Sequence, residues 1–320
     1  MTNIKWHYEQ MTSGVHIALR SEQDLVDVET AFQDVSIFET RHLGKVMRID
    51  DGIQVTTKGE HIYHEMMAHV PILVHNRVKN VLIVGGGDGG SAREVLKHHS
   101  VENVVMVDID EQIIQLSRKY LPEINNGAFD DPRFVLRIGD GADIISQYQD
   151  CFDLIILDAA DPDGGASETL FTQSFFGNCL KALKADGILV AQGGTPYFEP
   201  YMMQSMVSRL TQAFNNPAGI YLGGCYDYFG GSHAFIWATR NGSINTLSIE
   251  ELESRFAKAD IQTKYYSPEA HFGSFFLSKD MRDYVNQAIN CENVDELSMP
   301  EAGDWDDYTP ETSNESEDED

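Results

Sequence analysis

Basic residues are scarce in this chain: 23 Lys and Arg stand against 51 Asp and Glu, and none lies beyond Cys291. That last stretch holds 13 acids, so the 23 bases of the body still face 38 acids, a net of −15. Such a protein repels nucleic acid and anionic lipid and steers polycations toward itself. Solubility, or a host adapted to salt or cold, accounts for the total without any partner. Long apolar runs are missing too, which excludes a membrane-spanning helix, and the N-terminus (Met-Thr-Asn-Ile-Lys-Trp-His) has no signal-peptide core. Cysteine is sparse: Cys151, Cys179, Cys225 and Cys291 have no close spacing, which argues against zinc and a disulfide framework. A reducing cytoplasm is the simplest home.

What is present centres on Val81–Gly90, VLIVGGGDGG, followed by Ser91-Ala-Arg-Glu-Val-Leu. Apolar, partly β-branched residues predict a buried parallel strand; glycines predict a tight turn, and the periodic run after them a helix. Gly85, Gly87 and Gly90 satisfy the dinucleotide pattern, a weak signal alone. Asp88 makes it informative, because a carboxylate in the turn suits a cationic adenosine derivative better than a pyrophosphate.

At 320 residues the chain has room for one large and one small domain. Short β-like runs at Val15–Leu19, Val35–Phe38, Lys45–Ile49 and Ile53–Val55 predict a small antiparallel domain over residues 1–60. His61–His75 reads as a helix, and strand–helix alternation follows from Val78. Repeated β/α units predict an α/β domain over 61–290, a mostly parallel Rossmann-like sheet with helices on both faces. Strands near 220–222 and 234–239, with no long helix between them, predict an antiparallel edge. Residues 246–290 read as helix, strand and helix, and the acidic tail 291–320 as disordered.

Ligands of such sheets sit outside the carboxyl ends of the strands. Asp88, Asp108, Asp140 and Asp158 all fall at strand ends. Asp108, 18 residues past Gly90, suits ribose hydroxyls, and Asp140, before Gly141, suits an adenine amino group. Any one of them alone reads as a helix N-cap, but all four converge on one crevice. In Asp158-Ala-Ala-Asp161-Pro-Asp163-Gly-Gly, clustered carboxylates raise one another's pKa and can hold an ammonium ion. Neither calcium-loop spacing nor a closing Glu is present. His61, His64, Glu65 and His69 invite a metal reading, but His64-Glu-Met-Met-Ala-His69 is one residue too long for the zinc-protease pattern. They read as packing and pocket-lining residues.

In this order the motifs resemble the polyamine aminopropyltransferases, and bacterial spermidine synthases among them, from about Trp6 to Val285. They are IVGGGDGG-x-x-REV-x-KH, Asp108-Ile-Asp110, DDPRF at 130–134, Asp140-Gly141, Asp158-x-x-Asp161-Pro, Leu170-Phe-Thr172, Ala191-Gln192, Phe229-Gly-Gly231 and Trp237-Ala-Thr239, with Gln54 and Tyr63-His64-Glu-Met-Met upstream. The resemblance implies transfer of an aminopropyl group from decarboxylated S-adenosylmethionine, a co-substrate, to putrescine, with no metal, flavin or nicotinamide. It implies Asp158 as the base, helped by Tyr63. Gln54, Gly85, Asp88, Asp108, Asp140 and Gly141 would hold the donor, with Asp88 facing the aminopropyl amine. Tyr63, His64, Asp161, Gln192 and Tyr228 would hold the acceptor under a flap from Asp161 to Phe171, in a homodimer or homotetramer.

Four places depart from the family pattern: Asp108 replaces the usual Glu, Ala159-Ala160 a hydroxyl-bearing pair, and Gly164-Gly-Ala-Ser-Glu168 a shorter, proline-containing flap. Tyr226-Asp227 replaces Pro-Thr and adds a carboxylate beside the amine channel. These open the alternatives of cadaverine, agmatine or a longer polyamine as acceptor. A methyltransferase using S-adenosylmethionine and a non-catalytic polyamine-binding paralogue are the rival classes.

Overall fold

The computed structural model describes residues 5–12, 14–161 and 167–297. Most of the expected tail (298–320) and part of the expected flap (162–166) lie outside the described residues. At the N-terminal end, β1 (Lys5–Thr12) and β2 (Val15–Ser21) pair as a hairpin, and β3 (Gln23–Glu29), β4 (Asp34–Thr40), β5 (Gly44–Ile49) and β6 (Gly52–Thr56) form an antiparallel meander. All the expected runs are strands. β1 and β3 are additional to them, and β3 sits at the meander's edge with most of its residues exposed, so burial imposes no clear alternation on its sequence.

The main sheet contains β7 (Asn80–Gly85), β8 (Asn103–Asp108), β9 (Phe134–Ile138), β10 (Phe152–Asp158), β11 (Leu183–Gln192), β12 (Gly219–Gly223) and β13 (His233–Thr239). Its order is β12-β13-β11-β10-β7-β8-β9, parallel from β11 to β9, with β13 antiparallel to both its neighbours. The helices are α1 (His61–His75), α2 (Gly90–Leu96), α3 (Glu111–Tyr120), α4 (Pro122–Asn125), α5 (Gly141–Ile145), α6 (Gln173–Ala182), α7 (Pro200–Phe214), α8 (Ile249–Ala259), α9 (Pro268–Ser274) and α10 (Lys279–Ile289).

Strand periodicity divides the core in two. Val81, Ile83, Leu154 and Ile156 face a cluster built with α1 and α2, while Leu82, Val84, Ile155 and Leu157 face one built with α6, α7 and α10. Being buried on both faces, these strands read as continuous apolar runs. Each such side chain contributes roughly 1.5–3 kcal/mol on burial. Val35, Ile37, Met47 and Val55 of the meander pack on Ile113, Leu121 and Ile124, so the N-terminal strands are anchored above the ends of β7 and β8.

The strand expected within 246–290 is a helix instead: α8, α9 and α10 follow one another, with 261–267 unpaired between the first two. The β-prone run Ile261–Tyr266 finds no neighbouring strand. Its last three amides go to one side chain, the buried carboxylate of Glu65, which accepts from the N–H groups of Lys264, Tyr265 and Tyr266 at 2.7, 2.8 and 2.7 Å. Order also continues past 291, where the tail was expected to begin. A 3-10 turn spans Val294–Leu297, and the Cys291 carbonyl accepts from Gln212 at 3.3 Å.

Glu65→Ala leaves three amides without their acceptor, each worth about 1–3 kcal/mol when buried. The expected loss is about 3 kcal/mol or more in urea unfolding; a loss below ~1 kcal/mol would show that the carboxylate is dispensable.

Candidate active site

The chain winds outward from β7 to β9 and returns across the sheet to β10, so the switch point lies between β7 and β10. Gly85 and Asp158 are register partners there. At Gly85, with φ +81°, a Cβ would lie 2.1 Å from the Asp158 carbonyl oxygen, and that carbonyl accepts from Gly86 N at 2.7 Å. The first glycine of the turn thus lets two strand ends touch. Above them is a cavity of about 480 Å³, roofed by β1, β6 and the 227–229 segment.

Eleven of the twelve residues singled out from the sequence line this cavity: Gln54, Tyr63, Gly85, Asp88, Asp108, Asp140, Gly141, Asp158, Asp161, Gln192 and Tyr228. His64 does not. It is buried behind Asp88, its ring against the start of α2, where a Cβ on Gly90 would meet it at 2.2 Å.

Asp158 is held from both sides. Tyr63 donates its hydroxyl to Oδ1 and Ser91 to Oδ2, each at 2.6 Å. Burial pushes the Asp158 carboxyl up, the His64 charge opposes this, and Asp88 pushes it further; the net shift is upward. Asp88 goes the other way. Burial raises it, but His64 at 3.5 Å and the Gly90 amide at 2.6 Å outweigh that and keep it ionised. His64 also donates Nδ1–H to Glu60 at 2.6 Å. Burial alone would discharge this imidazole; Asp88 and Glu60 hold it protonated well above the usual histidine range. Behind Glu60 stands Arg93, at 2.8 Å. Two carboxylates in one pocket are thus driven in opposite directions, one to remain an anion and one to take a proton.

Toward β8 and β9 the pocket is a shelf of short carboxylates. Asp108 accepts from Asp110 N at 2.9 Å, and burial, slightly relieved by that bond, pushes it up to about 7. Asp140 caps α5, accepting from Ala142 N at 2.7 Å, so it does serve as an N-cap while facing the cavity. On the opposite side Gln192 donates to Asp161 at 2.6 Å, and Tyr228 donates to the Gln54 carbonyl at 2.8 Å.

Sequence reading missed Ser91, Gln33 and Glu9. Ser91 follows the glycine turn directly, and a helix begun at Gly90 places it in the first turn, beside the strand end. Gln33 reaches the cavity from the β3–β4 turn and donates to Asp110 at 3.3 Å. Glu9 lies on β1; its carboxylate accepts from Ile53 N at 3.0 Å, and burial pushes it up to about 7. No local pattern marks either residue. The four residues weighed as metal ligands diverge: Glu65 turns to 264–266, and His69 to Glu94 and His98.

Burial raises the Glu60 carboxyl, but His64 and Arg93 prevail and hold it at about 2. A depressed carboxyl stabilises the fold above its unfolded value, and that contribution is lost as pH falls from about 4.5 to 2. Glu60→Gln should therefore flatten the acid limb of stability by about 2–3 kcal/mol over this range. An acid limb identical to that of the unaltered chain, measured by urea midpoints, would contradict the assignment.

The spermine/spermidine synthase domain model matches residues 60–248, and a spermidine synthase tetramerisation domain model matches 5–57. The polyamine aminopropyltransferase of Ruegeria sp. (strain TM1040) is 42% identical over 277 residues, covering 87% of this chain and 97% of its own. That of Yersinia pestis (strain Pestoides F) is 40% identical over 288 residues, covering 90% and 97%. Two solved structures are similar at 33% identity. A spermidine synthase in complex with the transition-state analogue AdoDATO superposes with a TM-score of 0.84 over 89% of this chain and 96% of that one. The spermidine synthase of Thermotoga maritima does so with 0.81 over 88% and 94%. Among the described residues, no helix is long and apolar enough to cross a membrane. Matched along both its parts and over nearly the full length of its relatives, the chain belongs to the spermine/spermidine synthase family and is an aminopropyltransferase.

Proposed function

We propose that the chain moves the aminopropyl group of decarboxylated S-adenosylmethionine to putrescine, releasing spermidine and methylthioadenosine. The observation that carries this reading is the opposed pair: Asp158, held by Tyr63 and Ser91 and pushed up, beside Asp88, held ionised by His64.

An aliphatic amine has a pKa near that of lysine, about 10, and reaches the cavity as an ammonium. Asp158 takes one of its protons, and the upward shift brings that carboxylate closer to the amine in basicity. The freed nitrogen lone pair attacks the aminopropyl carbon bonded to sulfur. As the new C–N bond forms, the C–S bond breaks, its electrons go to sulfur, and the thioether leaves uncharged. A sulfonium needs neither an acid nor a Lewis acid to depart, so the proposed reaction uses no cofactor beyond its two substrates. Asp161 with Gln192, and Tyr228 with Tyr63, line the side on which the distal ammonium is held, so the amine is pointed inward.

On the donor side, Asp88 receives the primary ammonium of the aminopropyl group, Asp108 the ribose and Asp140 with Gly141 the adenine. An ionised Asp88 disfavours a donor that still bears its carboxylate, which counts against a methyltransferase reading. The matched N-terminal family and the half-exposed Trp6 and Tyr8 on β1 support a homo-oligomer, dimer or tetramer. Four unpaired cysteines accord with the cytoplasm.

Asp158→Asn should lower kcat by about 100-fold or more while donor binding changes little. Full turnover in that variant would remove Asp158 from its role. A panel of putrescine, cadaverine, agmatine and spermidine, read by methylthioadenosine release, should favour putrescine. Tighter binding of S-adenosylmethionine than of its decarboxylated form would sink the donor assignment.

A further inference from the structure

We infer that Asp227 is a positioning residue for the amine acceptor: its carboxylate latches the segment bearing Tyr228 onto the turn that opens α1, in a space left free by glycine at 59. The inference rests on reading the cavity as an aminopropyltransferase site.

The sequence placed this carboxylate beside the amine channel. It borders the cavity, but both of its oxygens are committed elsewhere. Oδ2 accepts from Thr56 N at 3.1 Å and Oδ1 from the Thr56 hydroxyl at 2.7 Å. The same hydroxyl accepts from Gly59 N at 3.1 Å, and the Thr56 carbonyl accepts from Glu60 N at 3.1 Å. Asp227 therefore braces the whole 56–60 turn, whose last residue begins α1 without a side-chain cap of its own.

Position 59 is what permits this. A Cβ there would lie 1.6 Å from Asp227 Oδ1 and 2.6 Å from its carboxyl carbon. Backbone conformation gives no reason for glycine at 59, since its φ lies outside the left-handed region; space does. Any side chain at 59 displaces the carboxylate, so the two positions act as one device.

What the device holds is the acceptor side of the site. From the braced turn, α1 presents Tyr63, which donates to Asp158. From the next residue after Asp227, Tyr228 donates to the Gln54 carbonyl, and its ring meets that of Tyr63 at 5.5 Å and 68°. Opening the latch frees the Tyr228 segment, while Tyr63 stays held by α1 and by its bond to Asp158, Gln54 by its strand β6, and Asp108 and Asp140 by the ends of β8 and β9. Burial pushes the Asp227 carboxyl up to about 6; its Thr56 donors and the His64 charge pull it back, and Glu60 opposes them. At neutral pH it is an anion that acts through Thr56.

The test uses the full chain with Asp227→Ala, Asp227→Asn, Gly59→Ala and the Gly59→Ala/Asp227→Ala pair, assayed with putrescine and decarboxylated S-adenosylmethionine. Asp227→Ala and Gly59→Ala should each raise the amine KM about tenfold, with kcat and donor KM within about twofold. The paired variant should be no worse than either single change, because both remove one contact. Asp227→Asn keeps one acceptor and should fall between; it carries the same test if alanine at 227 does not fold. An unmoved amine KM, an equal rise in both KM values, or additive losses overturn the latch. If the unaltered chain releases methylthioadenosine but the split is absent, only this inference falls; if it releases none with any diamine, the proposed reaction falls with it.

Discussion

A buried histidine charge holds this site together. Four strand ends bring Asp88, Asp108, Asp140 and Asp158 to one cavity in a protein that is already strongly acidic. Mutual repulsion and desolvation would protonate such a cluster or splay it apart. His64, clamped between Glu60 and Asp88, supplies a fixed positive charge that keeps Asp88 ionised. Arg93 in turn fixes Glu60, with Glu94 at its Nε. The buried chain of alternating sign lets Asp88 stay charged without a ligand, and leaves Asp158, farther along the same wall, to shift upward. Removing one member of such a chain leaves an uncompensated buried charge, which costs several kcal/mol.

Geometry around this charge explains the glycines better than a phosphate cradle does. Gly85 permits contact with the Asp158 backbone, and Gly90 leaves room for the His64 ring. A turn that satisfies the dinucleotide pattern is here shaped by its own protein neighbours, an imidazolium and a strand end. This is why Asp88, and not the glycine spacing, distinguishes the cavity from a pyrophosphate site.

How much of this was legible followed from the range of each interaction. The strands of the main sheet announce themselves as apolar runs because both faces are buried, and their ends carry Asp88, Asp108, Asp140 and Asp158, so these four could be named from the pattern, whereas Gln54, Tyr63, Gly141, Gln192 and Tyr228 come only with the family resemblance. His64 was recognisable as part of a motif, yet its position behind Asp88 depends on how α1 crosses the start of α2, which periodicity does not encode. The run Ile261–Tyr266 has strand-like composition, and only Glu65, some 200 residues earlier, decides that it hangs from a carboxylate instead of a neighbouring strand. Ser91 was adjacent to a known motif and could have been found by asking which first-turn side chain faces β10. Glu9 and Gln33 could not, since their place is set by how the N-terminal strands dock.

That docking gives the small β-part its chemical purpose. The sheet alone offers an open crevice, in which an ammonium would stay hydrated and its proton would be shared with water. With the crevice roofed by β1, β6 and the 227–229 segment, the carboxylates beneath are buried, and it is burial that heads the causes raising Asp158, Asp108 and Asp227 alike. The roof is tied down by polar bonds that reach across the chain, Asp227 to Thr56 over 171 positions and Tyr228 to Gln54 over 174. The contrast at the centre of the site therefore has two sources: burial pushes both Asp88 and Asp158 up, and α1 supplies the His64 charge that brings Asp88 back down.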